Sequence, residues 1–141
     1  MTDVHAEGTP LAEAAARVGD RWTLLIVESL LDGPLRFADI AGRIGIASNI
    51  LSQRLRRLEQ DGVVLAQPYS ERPPRFEYEL TASGRELVGA LRLLADWGAR
   101  HAEGPEPLRH GACGTPLEAR WYCPTCARAV DDDEATDVHF A

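Results

Sequence analysis

Residues 37–62 contain two short helical patterns separated by a glycine turn, and this arrangement strongly limits the folds open to the chain. The apolar positions of the first pattern recur at helical spacing: Phe37, Ile40, Ala41 and Ile44. Gly45 begins the turn, and Ser48 can cap a second helix that runs to about Gln60. The apolar positions of that helix share one face: Leu51, Leu55 and Leu58. A short helix, a glycine turn and a second helix with a polar, arginine-bearing face are typical of a helix-turn-helix.

Two strands are predicted directly after the second helix, over residues 63–69 and 75–80. In the later strand apolar and acidic residues alternate, as they do in a half-buried strand. The short turn between the strands is stiffened by two prolines. Two strands in this position form a wing, and its tip is flanked by Arg72 and Arg75, where a DNA backbone could pass.

Further helices are predicted on both sides of this core pattern. Thr9 and Pro10 indicate the start of a first helix that runs to residue 18, and Asp20 can cap the next helix over residues 21–31. A long last helix over residues 82–101, capped by Thr81 or Ser83, carries a broad apolar stripe. We therefore expect an α+β fold that is mainly α, a winged helix-turn-helix with long helices at its N- and C-terminal ends.

The chain is expected to divide into three regions. Residues 1–103 form the winged-helix domain, and a linker rich in glycine and proline begins at residue 104. Residues 104–130 form a small extension that contains all three cysteines, and residues 131–141 form an acidic tail that we expect to be disordered.

Basic side chains are concentrated in the middle of the chain, although the net charge is −7. Residues 34–76 contain seven arginines and four acidic residues, whereas the segments on either side are negative overall. A negative total is unusual for a nucleic-acid binder, but the positive segment coincides with the predicted helix-turn-helix and wing. All 15 basic residues are arginine, whose guanidinium group suits bidentate contacts with phosphate or guanine.

The polar face of the second helix supplies four side chains that can read base edges: Asn49, Ser52, Gln53 and Arg56. Six side chains are better placed for the phosphate backbone, whose contacts position a protein without specifying sequence: Arg36, Arg43, Ser48, Arg57, Arg72 and Arg75. On an isolated helix such a face is more often merely solvated. Here the two wing strands follow the helix directly, and for this reason we favour DNA binding over a merely solvated face.

Five short sequence segments follow one another along the chain: GDRWTLLI at 19–26, RFADI at 36–40, LSQRLRRLEQDG at 51–62, PPRFEYELTASG at 73–84 and WG at 97–98. In this combination the sequence resembles the HxlR family of winged helix-turn-helix transcriptional regulators over residues 9–101. The resemblance implies a homodimer in which the first and last helices build the dimer interface. It also implies two recognition helices in successive major grooves of an inverted-repeat operator, with the wings on the flanking backbone.

The chain departs from the resemblance at one position. Many members of the family carry a Cys-Pro pair ahead of the first helix, and in some of them that cysteine senses oxidants or electrophiles. Here the pair is Thr9-Pro10, which keeps the helix cap but has no thiol. The thiol switch of the family is therefore not expected at this position.

The segment HGACGTPLEARWYCPTC at 110–126 contains two clusters with metal-ligand spacing. Zinc prefers four nitrogen or sulfur ligands, and structural sites pair two short-spaced clusters. The predicted ligands of a structural Zn²⁺ ion in a zinc-ribbon-like extension are His110, Cys113, Cys123 and Cys126. Between the clusters, Leu117, Trp121 and Tyr122 could form a small strand pair and a minimal core, so a metal would be the main stabiliser of the extension.

Other interpretations of this segment stay open. Cys123 and Cys126 could be a redox pair beside one spare thiol, or all three thiols could be unused in a flexible tail. His101 or His139 could replace His110 as a ligand, and iron accepts similar ligands. A catalytic zinc is disfavoured, because four protein ligands leave no open coordination position.

We therefore predict a sequence-specific DNA-binding transcriptional regulator, a homodimeric repressor, and no enzyme. The alternative is a protein-interaction module that docks on a transcription partner. A small-molecule effector could bind in a cavity lined by Trp22, Phe37 and Trp97, although such aromatic residues more often belong to the core. The acidic start MTDVHAEGTP has no apolar core and so does not resemble a signal peptide. The aliphatic run at 24–27 is too short to span a bilayer. We therefore expect a cytoplasmic protein without a membrane partner.

Overall fold

The computed structural model describes residues 8–131 and Glu134. The chain divides into two compact units, residues 1–91 and 92–141. Most of the predicted acidic tail, and His139 with it, lies outside the described residues. The sequence prediction ended the winged-helix domain at residue 103, whereas the units divide twelve residues earlier, inside the last helix.

The first unit contains five complete helices and a three-stranded sheet within its described residues. In chain order these elements are α1 (Pro10–Val18), α2 (Arg21–Ser29), β1 (Leu35–Arg36), α3 (Phe37–Ile44), α4 (Ser48–Gln60), β2 (Val64–Glu71), β3 (Pro74–Leu80) and α5 (Ala82–Glu86). Helix α6 (Val88–His101) begins in the first unit and continues into the second. No helix among the described residues is long and apolar enough to cross a membrane.

The predicted helix caps at α1, α2 and α5 are confirmed, the last by Thr81 Oγ1, which accepts a hydrogen bond of 3.1 Å from the N–H of Gly84. The Oγ1 atom of Thr9 accepts a hydrogen bond of 3.1 Å from the N–H of Ala12 at the start of α1. At α2, the carboxylate of Asp20 accepts hydrogen bonds from Trp22 N at 3.1 Å and Thr23 N at 3.2 Å. All three caps occupy N–H groups that the first helical turn leaves without a backbone partner.

Helices α3 and α4 form the predicted helix-turn-helix. Helix α3 ends at Gly45, whose φ of 67° lies in the left-handed region. The expectation that Ser48 caps α4 was wrong: Ala47 is the capping residue, without a side-chain hydrogen bond, and Ser48 is the first helical residue. The chain becomes helical one residue earlier than expected because Leu51 N already donates to Ala47 O at 3.0 Å.

The wing is an antiparallel sheet of strand order β1-β3-β2. Strands β2 and β3 pair from Val64 opposite Leu80 to Glu71 opposite Pro74, so the hairpin is longer than predicted. Strand β1 was not predicted, because two residues are too few to show an alternating pattern. It pairs Leu35 with Tyr78 and thereby joins the sheet to the start of α3.

The core of the first unit lies between the helices and the base of the wing. Its largest fully buried side chains are Ile26, Val27, Ile40, Leu51, Leu55, Leu58 and Val64. Full burial of each such side chain contributes about 1.5–3 kcal/mol. The predicted apolar face of α4 supplies three of these residues, so the core fixes which face of this helix remains outside.

The prediction of one continuous helix over residues 82–101 was wrong. Helix α5 ends at Glu86, and Leu87 separates it from α6. The N–H of Leu87 donates to Gly84 O at 3.2 Å, an i−3 bond that tightens the last turn of α5 and interrupts the α-helical pattern.

The second unit contains the rest of α6 and two small hairpins. The first hairpin is closed by a bridge between Arg109 and Pro116 and by Leu117 N, which donates to Leu108 O at 2.7 Å. The second pairs β4 (Trp121–Cys123) with β5 (Arg128–Val130). The strand pair predicted between the cysteine clusters is thus replaced by one hairpin around each cluster.

Candidate nucleic-acid interface and cysteine hairpins

Helix α4 exposes the face that was predicted to read DNA bases. Its leucines are buried, while the four predicted base-reading side chains are all exposed: Asn49, Ser52, Gln53 and Arg56. Ser48 is exposed at the first turn of the helix. Because no side chain caps α4, its first N–H groups have no side-chain acceptor among the described residues.

The arginines of α4 differ in what they contact. Arg56 is exposed, and its side chain has no hydrogen bond or ion pair within the described part of the chain. Arg54 is half-buried, and its Nε donates to Asp20 Oδ1 at 3.1 Å. Sequence reasoning missed this contact, because the two residues are 34 positions apart and neither shows a local signal for the other. The capping residue of α2 therefore also holds α4.

The contacts of Asp20 change the pKa of its carboxyl group. Burial by itself would raise this pKa, but hydrogen bonds from the hydroxyl and N–H of Thr23 and from Arg54 outweigh it. The pKa of Asp20 therefore lies below its ordinary value, and the carboxylate is the form that the folded protein stabilises.

Two of the predicted phosphate-binding arginines also hold neighbouring helices. Arg57 donates to Ala16 O in α1 at 3.1 Å, and its Nε lies 3.6 Å from the carboxylate of Asp61. Arg43 donates to Ser29 O at the end of α2 at 3.0 Å. Both arginines are exposed, so their charge also faces solvent, but part of their hydrogen-bonding capacity is used within the fold.

The remaining predicted phosphate contacts lie in the wing sheet. The guanidinium group of Arg36 in β1 stacks over the ring of Tyr69 in β2, 4.4 Å from its centroid. Arg72 in the turn and Arg75 in β3 are exposed, and their side chains have no hydrogen-bond or ion-pair partner within residues 8–131 or at Glu134. The tip of the wing therefore presents two arginines whose donors are available to a phosphate.

The three aromatic residues of the predicted effector cavity have different surroundings. Trp22 and Phe37 are half-buried and pack against the core of the first unit. Trp97 belongs to the second unit, where it is 59% exposed and stacks on His101 with ring centroids 4.6 Å apart. A cavity of about 230 Å³ in the first unit is lined instead by residues from the segment after α2, the end of β3, α5 and the start of α6, among them Leu30 and Arg85.

The first cysteine hairpin brings His110 and Cys113 together. The Nδ1 atom of His110 lies 3.3 Å from Cys113 Sγ, and Thr115 Oγ1 lies 3.3 Å from the same sulfur. Hydrogen bonds from the side chain and backbone of Thr115, and from His110, hold the pKa of the Cys113 thiol below its ordinary value. This sulfur is therefore surrounded by groups that favour the thiolate.

The second cysteine hairpin pairs Cys123 with Cys126. Hydrogen bonds from the backbone and side chain of Cys126 and from the backbone of Thr125 lower the pKa of Cys123. The side-chain hydrogen bond with Cys123 and the charge of that residue raise the pKa of Cys126. Arg128 makes two hydrogen bonds of 2.7 Å to Glu134, and these lower the pKa of that carboxyl group.

The predicted zinc ligands thus form two pairs within the second unit. Among the described residues, no three His, Cys, Asp or Glu side chains lie close enough together to hold one metal ion. All three cysteines are free thiols. His101, the described alternative ligand, uses Nδ1 to donate to Trp97 O at 2.8 Å.

Similarity to known proteins agrees with this architecture. The sequence profile of the HxlR-like helix-turn-helix family matches residues 17–106. The HTH-type transcriptional regulator Rv3095 of Mycobacterium tuberculosis is 39% identical over 128 residues, which cover 88% of this chain and 81% of the relative.

Solved structures show the same relationship. The crystal structure of PA1607, a candidate transcription factor, is 28% identical, with a TM-score of 0.77 over 96% of this chain and 95% of that chain. The oxidised form of the redox regulator HypR is 29% identical, with a TM-score of 0.63 over 67% of this chain and 99% of that chain. These proteins are transcription regulators and not enzymes, as predicted for this chain. The chain belongs to the HxlR-like helix-turn-helix family of transcriptional regulators.

Proposed function

We propose that this protein is a sequence-specific repressor that binds an inverted-repeat operator as a homodimer and blocks access to a promoter. The observation that carries the proposal is the exposed face of α4, where Asn49, Ser52, Gln53 and Arg56 project from a helix whose opposite face is buried. Amide side chains suit adenine and arginine suits guanine, at about 1–3 kcal/mol for each good bidentate pair.

The contacts of the arginines support a division of roles. Arg56 is the α4 arginine whose donors no neighbour in the described residues uses, so it is the best candidate for a base contact. Arg72 and Arg75 at the wing tip are equally available and are assigned to phosphates. Arg43 and Arg57 are assigned a mixed role, because each already donates to a backbone carbonyl of another helix.

The primary test is selection of genomic fragments by the full-length protein, followed by sequencing. We expect enrichment of an inverted repeat, and transcription from the adjoining promoter should fall when the protein is added in vitro. Failure to enrich any inverted repeat would refute the proposed operator. Enrichment with increased transcription would refute repression and leave DNA recognition intact.

Substitutions then separate base reading from phosphate binding. On the selected duplex, Arg56→Ala should weaken binding of the dimer about 25- to 20,000-fold, because one contact is lost in each half-site, and should relax the preference at one base position of each half-site. Arg75→Ala should weaken binding to all duplexes and, since each protomer loses one phosphate contact, reduce the slope of log affinity against log salt by about 1.8. The control Arg92→Ala removes an exposed arginine from α6 and should change neither property. An equal loss in Arg92→Ala and Arg56→Ala would contradict the assignment.

The homodimer is supported by exposed apolar side chains on helices. In the second unit, α6 exposes Leu94 by 54% and Trp97 by 59%, three positions apart and therefore on one face. In the first unit, α1 exposes Leu11 by 74%. Large apolar side chains exposed together are characteristic of interfaces between proteins.

Light scattering coupled to size-exclusion chromatography tests this part of the proposal. The full-length protein should have twice the mass of the chain, and Leu94→Glu should shift it to the monomer. Leu117→Glu, which changes another exposed leucine outside the helices, is the matched control and should leave the dimer intact. A monomeric parent protein would refute the dimer.

A protein-interaction module is the second candidate function. The observation in its favour is that β4 exposes Trp121 by 67% and Tyr122 by 63%, and both residue types are enriched at interfaces between proteins. The two functions differ in their salt response, since binding to DNA weakens steeply with salt. Absence of any salt-dependent binding to the genomic fragments would favour the interaction module.

An effector that relieves repression is a further part of the proposal. The cavity of about 230 Å³ near Leu30 and Arg85 is smaller than the range of about 300–1,000 Å³ found for drug-sized ligands. An effector that enters this cavity as it stands would therefore be small, and it would meet the opposite charges of Glu79 and Arg85. Release of the operator duplex by such a compound, measured by fluorescence anisotropy, tests this expectation.

A further inference from the structure

The second unit has no buried core in its described part. None of the residues 92–131, and not Glu134, is buried, and Trp121 and Tyr122 are among the most exposed aromatic side chains. A segment this small that buries no apolar side chain usually needs a disulfide bond, a metal ion or a partner to hold one structure. The two hairpins around the cysteines therefore require a stabiliser that their own packing does not supply.

The two hairpins repeat one local geometry. In the first, His110 N donates to Thr115 O at 2.9 Å, which pairs His110 with the residue five positions later. In the second, Cys123 pairs with Arg128, also five positions later. In both hairpins a cysteine stands three positions after the first paired residue, so the two candidate ligand pairs occupy equivalent positions.

The equivalence extends to the backbone that follows each pair. Gly114 and Ala127 come directly after Cys113 and Cys126, and both have a left-handed conformation, with φ of 70° and 54°. Ala127 is the one residue other than glycine with positive φ among the described residues. An alanine rarely adopts this conformation unless the surrounding turn requires it, so the loop shape is a shared feature of both hairpins.

The spacing of the donor atoms also suits a shared cation. Tetrahedral Zn–N and Zn–S bonds place the two ligand atoms about 3.5 Å apart, and His110 Nδ1 and Cys113 Sγ already lie 3.3 Å apart. In the second hairpin the backbone N–H groups of Thr125 and Cys126 point to the sulfur of Cys123. Such N–H groups offset the negative charge of a thiolate ligand.

We propose that one Zn²⁺ ion, held by His110, Cys113, Cys123 and Cys126, joins the two hairpins into a closed structural site. The two pairs do not share a metal-binding position in the structure, so the hairpins must approach each other when the ion binds. Residues 118–120, which connect them, are exposed and belong to no helix or strand, and they can accommodate this approach. Binding releases one proton from each cysteine thiol to solvent, and the neutral histidine completes the ligand set.

The first test is the metal content of the full-length protein, purified without added metal or chelator and measured by mass spectrometry of the elements. We expect one zinc per chain, lost in Cys113→Ser and in Cys126→Ser, which remove one ligand from each hairpin. His101→Ala is the matched control and should retain the zinc, because His101 is an exposed histidine of α6 that lies outside the proposed site.

A second measurement identifies the ligands even if a cysteine variant misfolds. After replacement by Co²⁺, the full chain should show the visible absorption of a tetrahedral ion with thiolate ligands. His110→Cys should keep the metal and shift this spectrum, since a fourth thiolate replaces an imidazole. Retention of an unshifted spectrum in His110→Cys would remove His110 from the site.

Two results would overturn the proposal as a whole. One is a metal-free protein whose three thiols all react with a thiol reagent and which does not take up added Zn²⁺ or Co²⁺. The other is a protein whose mass shows a Cys123–Cys126 disulfide after purification under reducing conditions. Stoichiometric iron in place of zinc would refute the assignment of the metal as zinc. It would also contradict a purely structural site, since iron is redox-active.

Discussion

The close approach of α5 to the start of the wing gives a sharp test of the fold. A Cβ atom added at Gly84 would lie 2.2 Å from Val63 O and 3.2 Å from Leu80 Cδ2. Since Cβ contacts below 3.0 Å essentially never occur, the backbone at Gly84 or Val63 would have to move by about 0.8 Å. We therefore predict that Gly84→Ala destabilises the protein, although alanine is the better helix former.

The magnitude follows from the contacts that such a movement disturbs. Val63 O also accepts hydrogen bonds from Thr81 N at 3.0 Å and from Thr81 Oγ1 at 3.2 Å. Overpacking typically costs about 1–3 kcal/mol, and a lost hydrogen bond adds about 1 kcal/mol. The higher helix propensity of alanine stabilises the variant by about 1 kcal/mol, so the net destabilisation is about 1–3 kcal/mol.

Gly42→Ala is the matched control, because it makes the same change in α3 at a site where a Cβ atom has no neighbour within 4 Å. This variant should gain about 1 kcal/mol from helix propensity. The two variants should therefore differ by about 2–4 kcal/mol, which corresponds to urea midpoints about 1–2 M apart. Urea denaturation of the full chain, followed by far-ultraviolet circular dichroism, measures the difference. Equal midpoints for Gly84→Ala and Gly42→Ala would refute the packing argument.

Two further predictions concern local contacts. Asp20→Ala should lower the free energy of unfolding by about 1–2 kcal/mol at neutral pH through loss of the α2 cap, whereas Asp20→Asn keeps a capping oxygen and should lose less. The pKa of Asp20 is lowered in the folded state, so its charge should make the free energy of unfolding of the parent larger than that of Asp20→Asn. This difference should be complete above the unfolded pKa of about 3.9 and should disappear as the pH falls through the folded pKa. A difference between the urea midpoints of the two proteins that stays constant from neutral pH to pH 3 would contradict this linkage. Ala127→Gly should relieve about 1 kcal/mol of left-handed strain and make the proposed metal site more resistant to a competing chelator, and unchanged or weaker retention of zinc would speak against strain at this turn.

The predictions that succeeded depended on contacts close along the chain. The caps of Thr9 and Asp20 act on N–H groups two or three residues later, so the sequence displays donor and acceptor together. The leucines of α4 repeat at helical spacing, so their burial also predicts which side chains are exposed on the opposite face. The wing strands were recognised because alternation over several residues is a local signal.

The features that were missed leave no pattern in the sequence. The break at Leu87 was missed because the apolar stripe continues through it, and nothing in the sequence marks the i−3 bond from Leu87 N to Gly84 O. Strand β1 was missed because its two residues become a strand only by pairing with β3.

By itself the sequence determined the order of α1 to α4 and of the two long wing strands, the exposed face of the recognition helix and the two short-spaced pairs of candidate metal ligands. These features rest on periodicity, capping and spacing, which act over a few residues. Only the tertiary structure decided which arginines of the basic segment remain available, since Arg54 and Arg57 contact residues 34 and 41 positions earlier in the chain. It also decided that the two cysteine hairpins share one backbone geometry, because the left-handed turn at Ala127 depends on the strand pairing around it and not on the residue itself.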